Sequence, residues 1–114
     1  MATPQGLVAD LNQAILSAAT ATGPGSAFAM PYRMQTGFIP GYTWTIITNG
    51  TITGLTVNLE GSDDGVNWFT LDTYTGTVSA MQHVANKPVH FVRANVTTLT
   101  GGGNVTINIA FGGD

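Results

Sequence analysis

Apolar and polar residues alternate with period two over much of this chain. Leu55, Val57 and Leu59 alternate with Thr56, Asn58 and Glu60. Tyr42, Trp44 and Ile46 alternate with Thr43, Thr45 and Ile47, and Val105, Ile107, Ile109 and Phe111 with Thr106, Asn108 and Ala110. Successive side chains of a strand point to opposite faces, so each run predicts a strand with one buried face. Residues 89–96 predict another, in which Val92, Ala94 and Val96 suit a core and His90 shares their face. Shorter strands are expected near 13–22, 26–34, 67–73 and 76–84.

Turn chemistry separates these runs at short intervals: Gly23-Pro24-Gly25, Pro40-Gly41, Asn49-Gly50, Asp63-Asp64-Gly65, Asn86-Lys87-Pro88 and Gly101-Gly102-Gly103. Seven or eight short strands with regular turns predict an all-β chain, an antiparallel sandwich of jelly-roll type. Residues 7–19 read two ways. Leu7, Leu11, Ile15 and Ala18 fall near one helix face, while Ala14 to Thr22 equally suits a first strand. The reading favours an arm over residues 1–12, or a short helical turn, leading into a β-sandwich domain over 13–114. No linker or internal repeat divides the chain.

Composition narrows the function. The chain has 114 residues, the length of one domain, and no cysteine, so disulfides and thiolate chemistry are excluded. Only 8% of residues are charged, with three Lys and Arg in all. A soluble domain is ordinarily about a quarter charged. Three positive charges make no phosphate-binding stripe, which argues against nucleic acid as a partner. No apolar run reaches the ~20 residues of a membrane-spanning helix, which argues against a membrane. The first residues lack the basic and apolar regions of a signal peptide, so synthesis in a cytoplasm without cleaved export is expected. The three Asn-x-Thr sequons then read as chance products of a Thr- and Asn-rich β sequence. A surface of Thr, Ser, Asn and Gly is poorly protected against association. It suits a protein bound in an assembly, and equally an ordinary extracellular β domain.

The stretch Leu59-Glu60-Gly61-Ser62-Asp63-Asp64-Gly65-Val66-Asn67-Trp68 carries the most local information. Asp63, Asp64 and Gly65 are expected to form a structural hairpin turn, with an Asp bonding backbone ahead of it and Gly65 at positive φ. Trp68 would begin the return strand and pack over the turn. Calcium needs six to eight oxygens, which two adjacent carboxylates supply only in part, so no metal and no other cofactor is expected. Nor is catalysis. His83 and His90 lack metal-ligand spacing, no nucleophile elbow or phosphate loop is present, and neighbouring carboxylates in one turn do not straddle a sugar. Among the aromatic residues a sugar-stacking platform or an interface patch is open, although most are expected in the core. Met30, Tyr32, Arg33 and Met34 are side-chain types enriched at interfaces; the same stretch also reads as an edge strand made awkward by Pro31.

The Gly61–Trp68 stretch resembles the Asp-box turn of sialidase-type propellers and the corresponding hairpin of discoidin-like lectin sandwiches, where the turn is mainly structural. It departs from the Asp box at Gly61 and Asn67, and it occurs once. A longer series resembles a family of small structural proteins of tailed-bacteriophage particles. The matching pieces are Ile15–Gly23, Tyr32-Arg33, Leu59–Leu71 and Val92–Gly102, in order over nearly the whole chain. Pro31 and the extended start depart from that pattern. The resemblance implies a β-sandwich that decorates a phage particle, as a capsid decoration or cement protein on the outside of the capsid. It would bind the major capsid protein and copies of itself, as a trimer or dimer. The alternative is a carbohydrate-binding or structural sandwich of a tail or baseplate.

For the first role, Leu7, Val8 and Leu11, with Ile15 and Leu16, are candidate contacts of a bridging arm. Burying about 300 Å² of apolar surface gives roughly 7 kcal/mol at ~25 cal/mol/Å². Ordering a dozen residues at about 1–2 kcal/mol each consumes that gain. The body is therefore expected to supply an interface of its own, with avidity from a lattice.

Overall fold

The computed structural model describes residues 12–29, 41–85, 87 and 89–111. They form nine strands: β1 (Asn12–Ala19), β2 (Gly23–Pro24), β3 (Phe28–Ala29), β4 (Gly41–Asn49), β5 (Ile52–Ser62), β6 (Phe69–Gly76), β7 (Ala80–Ala85), β8 (Phe91–Gly101) and β9 (Asn104–Phe111). One sheet runs β1-β9-β4-β7. The other runs β2-β8-β5-β6, with β3 also on β8. Every pairing is antiparallel. The expected β-sandwich is what forms. The helical alternative does not hold for residues 12–19, because β1 pairs with β9 from Asn12↔Ala110 to Ala19↔Val105.

The alternating residues meet between the sheets. Tyr42, Trp44 and Ile46, beside Val105, Ile107 and Ile109 of the same sheet, face Leu55, Val57 and Leu59 and Val92, Ala94 and Val96 of the other, all at most 2% exposed. Ile15 at 6% and the partly buried Leu16 join the same core. They therefore serve the sandwich, not a bridging arm. His90 is another departure. It precedes β8, is exposed, and places Nδ1 3.1 Å from the Asp63 carbonyl oxygen, off the face of Val92. Of the short strand expected over 26–34, the described residues contain β3, and residues 30–34 lie outside them. Gly23-Pro24, read as a turn, pairs with Val96 and Asn95, and Phe28-Ala29 pairs with Val92 and Phe91.

Polar cross-strand pairs occupy much of the outside. Thr56 lies opposite Thr75 and Asn58 opposite Thr73, with hydroxyl contacts of 3.4 and 2.8 Å. Thr43 meets His83 at 3.3 Å, and Thr53 meets Thr100 at 2.9 Å. Such pairs stabilise a sheet without charge.

The two ends differ. One gathers the tight connections 50–51, 77–79 and 102–103, where Gly103 N donates to Thr51 O at 2.8 Å. A Cβ on Gly103 would collide with the Asn49 carbonyl, so the two turns approach this closely only with glycine. The other end carries the β5–β6 turn and the β7–β8 connection. Tyr42 donates to Lys87 O at 3.1 Å and Lys87 Nζ to Leu71 O at 2.8 Å, closing the sheets together there.

Candidate functional site

The β5–β6 turn is organised by one carboxylate. Asp64 Oδ1 accepts from Val66 N, Asn67 N and the Ser62 hydroxyl at 2.8, 2.8 and 3.0 Å, and Asp64 Oδ2 accepts from Asn67 Nδ2 at 2.8 Å. Ser62 Oγ in turn receives Gly65 N at 2.8 Å. Gly65 has φ +76°, a region that favours glycine. The Asn67 and Val66 amides, then the Asn67 side chain and the Ser62 hydroxyl, hold the Asp64 carboxyl far below the usual carboxylate range. Its lone pairs are thus directed into the loop. Asp63, its neighbour, contributes its main-chain oxygen to His90. Sequence alone does not separate these two acids, since both stand before Gly65.

Trp68 ends this loop one residue before β6, and Arg93 of β8 lies over its ring. The Arg93 guanidinium carbon lies 4.4 Å from the Trp68 ring centroid. Arg93 Nε donates to Glu60 Oε1 at 2.7 Å, and Asn95 Nδ2 to Glu60 Oε2 at 3.0 Å. Glu60 is only 9% exposed although it lies on the outward side of its sheet. Its charge is paired with the Arg93 guanidinium, and both carboxylate oxygens have donors. The sequence contained Glu60, Arg93 and Trp68 but not the register that joins them, Glu60↔Arg93.

Beside the turn lies a hollow of about 330 Å³, lined by Gly61, Ser62, Asp63, Asp64, Asn67, Phe69, Leu71 and Val89. Phe69 at its rim is 70% exposed and Val66 on the loop 76%. Among the described residues no three of His, Asp and Glu stand together as metal ligands.

The other candidate contacts, Leu7, Val8, Leu11, Met30, Tyr32, Arg33 and Met34, lie outside the described residues. What the sequence pattern did not single out is a sheet without charge. No Asp, Glu, Lys or Arg occurs in β1, β9, β4 or β7. Thr43, Thr45, Ile47, Met81, His83, Thr106, Asn108 and Ala110 alternate with the core residues of these strands and so face outward. Among the described residues every charged side chain lies on the other sheet or on its connections, from Glu60 to Arg93.

No family model matches the chain, and no curated protein does. Among solved structures, the crystal structure of SPBc2 prophage-derived protein YomS superposes with a TM-score of 0.63 over 89% of this chain and 91% of that one. Identity between them is 15%, so what this chain shares with YomS is its fold, over nearly the full length of both.

Proposed function

We propose that this chain is a structural protein of a phage particle, a non-enzymatic decoration or cement protein that binds the major capsid protein and other copies of itself. The observation that carries the reading is the uncharged sheet β1-β9-β4-β7 on a rigid sandwich. Desolvating threonine, alanine, isoleucine and methionine costs far less than desolvating charges, so such a face is suited to burial. The series of motifs resembling phage particle proteins, and a fold shared with a prophage-derived protein, supports the same reading.

The test is to image particles of the phage that encodes the chain by cryo-electron microscopy, with and without its gene. Density for the sandwich on the capsid exterior, lost on deletion, is the expected result. Density at the tail alone would overturn the capsid assignment, and its absence from the particle would overturn the whole reading. Purified particles should also retain the protein through a wash at high salt, because screening acts on charge pairs that this face lacks.

A second reading, a carbohydrate-binding sandwich, is favoured by the hollow with its exposed Phe69. Its polar rim is weak support. Asp64 and the Asn67 amide are bonded to each other, which leaves Asp63 as the rim carboxylate with no bond inside the loop among the described residues. Calorimetry against host-surface glycans, with Phe69→Ala as the control, separates the two readings.

A further inference from the structure

We infer that β7 is a docking edge for a second copy of this chain, which pairs with it antiparallel across a two-fold axis and joins two four-stranded sheets into one. The inference deepens the proposed self-association by naming its surface.

It rests on how the sheet edges are finished. An exposed edge strand offers unpaired N–H and C=O groups to any other strand, and proteins blunt such edges in recognisable ways. The β6 edge is capped by side chains. Lys87 Nζ donates to Leu71 O at 2.8 Å, Gln82 Nε2 donates to Thr73 O at 2.9 Å, and Thr73 N is turned onto Asp72 Oδ1 at 3.0 Å. The β1 edge is broken by irregularities at Ala14/Leu16 and Leu16/Ala19, and Ala18 has φ +47°. The chain at Gly25 also crowds it, since a Cβ there would stand 2.9 Å from Ile15 O. The edge formed by β2 and β3 has two residues in each strand and includes Pro24.

β7 has none of these devices. Its pairing with β4 runs without a shift from Gly41↔Ala85 to Ile46↔Ala80. Its sequence, Ala80-Met81-Gln82-His83-Val84-Ala85, holds no proline, glycine or charge. Among the described residues no backbone group of β7 bonds to anything beyond the β4 ladder. Met81 is 70% exposed on the strand and Val78, just before it, 65%.

A second copy is the occupant that the chemistry favours. Each copy carries a net charge of −3, yet two β7 strands meeting edge to edge bring no like charges together. An isologous pair also satisfies both free edges at once and closes without propagating. Side chains alternate along a strand, so opposed residues share a face only if the axis passes through a residue. Gln82 and His83 are central in β7, and the axis falls on one of them.

The absence of cysteine permits a direct test on the full-length protein free of particles. Opposed residues across an antiparallel pair have Cα atoms about 4.5–5.5 Å apart, within disulfide reach. With the axis on His83, H83C oxidises to a covalent dimer. With the axis on Gln82, an equimolar mixture of M81C and H83C yields the cross-linked heterodimer. S17C, on the β1 edge, stays monomeric. Light scattering of the wild type at about 100 μM should give a dimer, and Met81→Lys should raise its midpoint concentration at least about tenfold at unchanged circular dichroism. Wild type that stays monomeric, absence of both cross-links, or S17C cross-linking as readily as the β7 variants would overturn the inference. Because no capsid enters the experiment, its failure leaves particle binding to be judged by imaging.

Discussion

Trp44 Nε1 donates to Asp72 Oδ2 across 2.9 Å, and this bond ties one sheet to the other. Trp44 is fully buried in β4, whereas Asp72 is on β6 of the opposite sheet. Gln82 Nε2 reaches the same oxygen from β7 at 3.1 Å, so one carboxylate of β6 receives two donors from the opposite sheet. Removing it would leave a buried indole N–H without an acceptor. Asp72→Ala is therefore expected to cost about 1–3 kcal/mol in urea unfolding. Asp72→Asn, which keeps an acceptor, should cost less.

The two acids of the β5–β6 turn should behave differently. Asp64→Ala removes the acceptor of four hydrogen bonds and should lower the melting temperature at pH 7, while Asp63→Ala should leave it nearly unchanged. The sign of the pH dependence follows from the depressed folded-state pKa. Ionised Asp64 stabilises the fold above its unfolded value of about 4, and this contribution fades as the pH falls below it. The gap between wild type and Asp64→Ala, followed by thermal melts from pH 7 to pH 2, should narrow on the acid side. Gly65→Val should cost about 1–3 kcal/mol, because a β-branched residue is strained at positive φ.

Arg93→Met would leave Glu60 with Asn95 as its one donor among the described residues. The side chains of Arg93 and Glu60 are 24% and 11% exposed. A loss of about 2–4 kcal/mol is expected, toward the lower end of what breaking a buried pair costs. Glu60→Gln in the same background should recover part of it. A change in Trp68 fluorescence on Arg93→Met would report the lost stacking.

Tyr42 should make the fold sensitive to alkali. Burial, and then the nearby Asp72 charge, push its phenol up to about 12. Unfolded, the phenol releases its proton near pH 10, so the unfolded state binds fewer protons above that value. Stability should be steady below about pH 10 and fall between about 10 and 12, by up to about 1.4 kcal/mol per pH unit. Tyr42→Phe should flatten that slope, at a cost of about 0.5–1.5 kcal/mol near neutrality from the lost bond to Lys87 O.

What was legible in the sequence follows from locality. Trp44 announced its inward face through Thr43 and Thr45, and Gly65 announced a turn through the acids before it. Period two reveals which way a side chain points but not which strand lies next to it. Nothing local to Glu60 specifies Arg93, which is 33 positions away, or that Arg93 stacks on Trp68. The same limit hid the role of Asp72, whose partners come from β4 and β7. The alternation of Val92, Ala94 and Val96 does not carry back to His90, because β8 begins at Phe91. The uncharged sheet was visible as composition, but only the strand order assembles its four segments into one surface.

The pairing of β1 with β9 also bears on how the protein is made. Asn12 has its partner in Ala110, and β9 separates β1 from β4 in the sheet. Until β9 has left the ribosome, β1 lacks the strand it pairs with and the core side chains Ile15, Trp44 and Val57 have no complete lid. Synthesis proceeds at about 5–20 residues per second. The nascent chain thus spends seconds with unpaired, Thr- and Val-rich strands exposed, and non-local pairing of this kind is slow to close. The sandwich cannot close before β9 is available, so a chain truncated anywhere before β9 should be recovered as aggregate or degraded fragment rather than as a smaller domain.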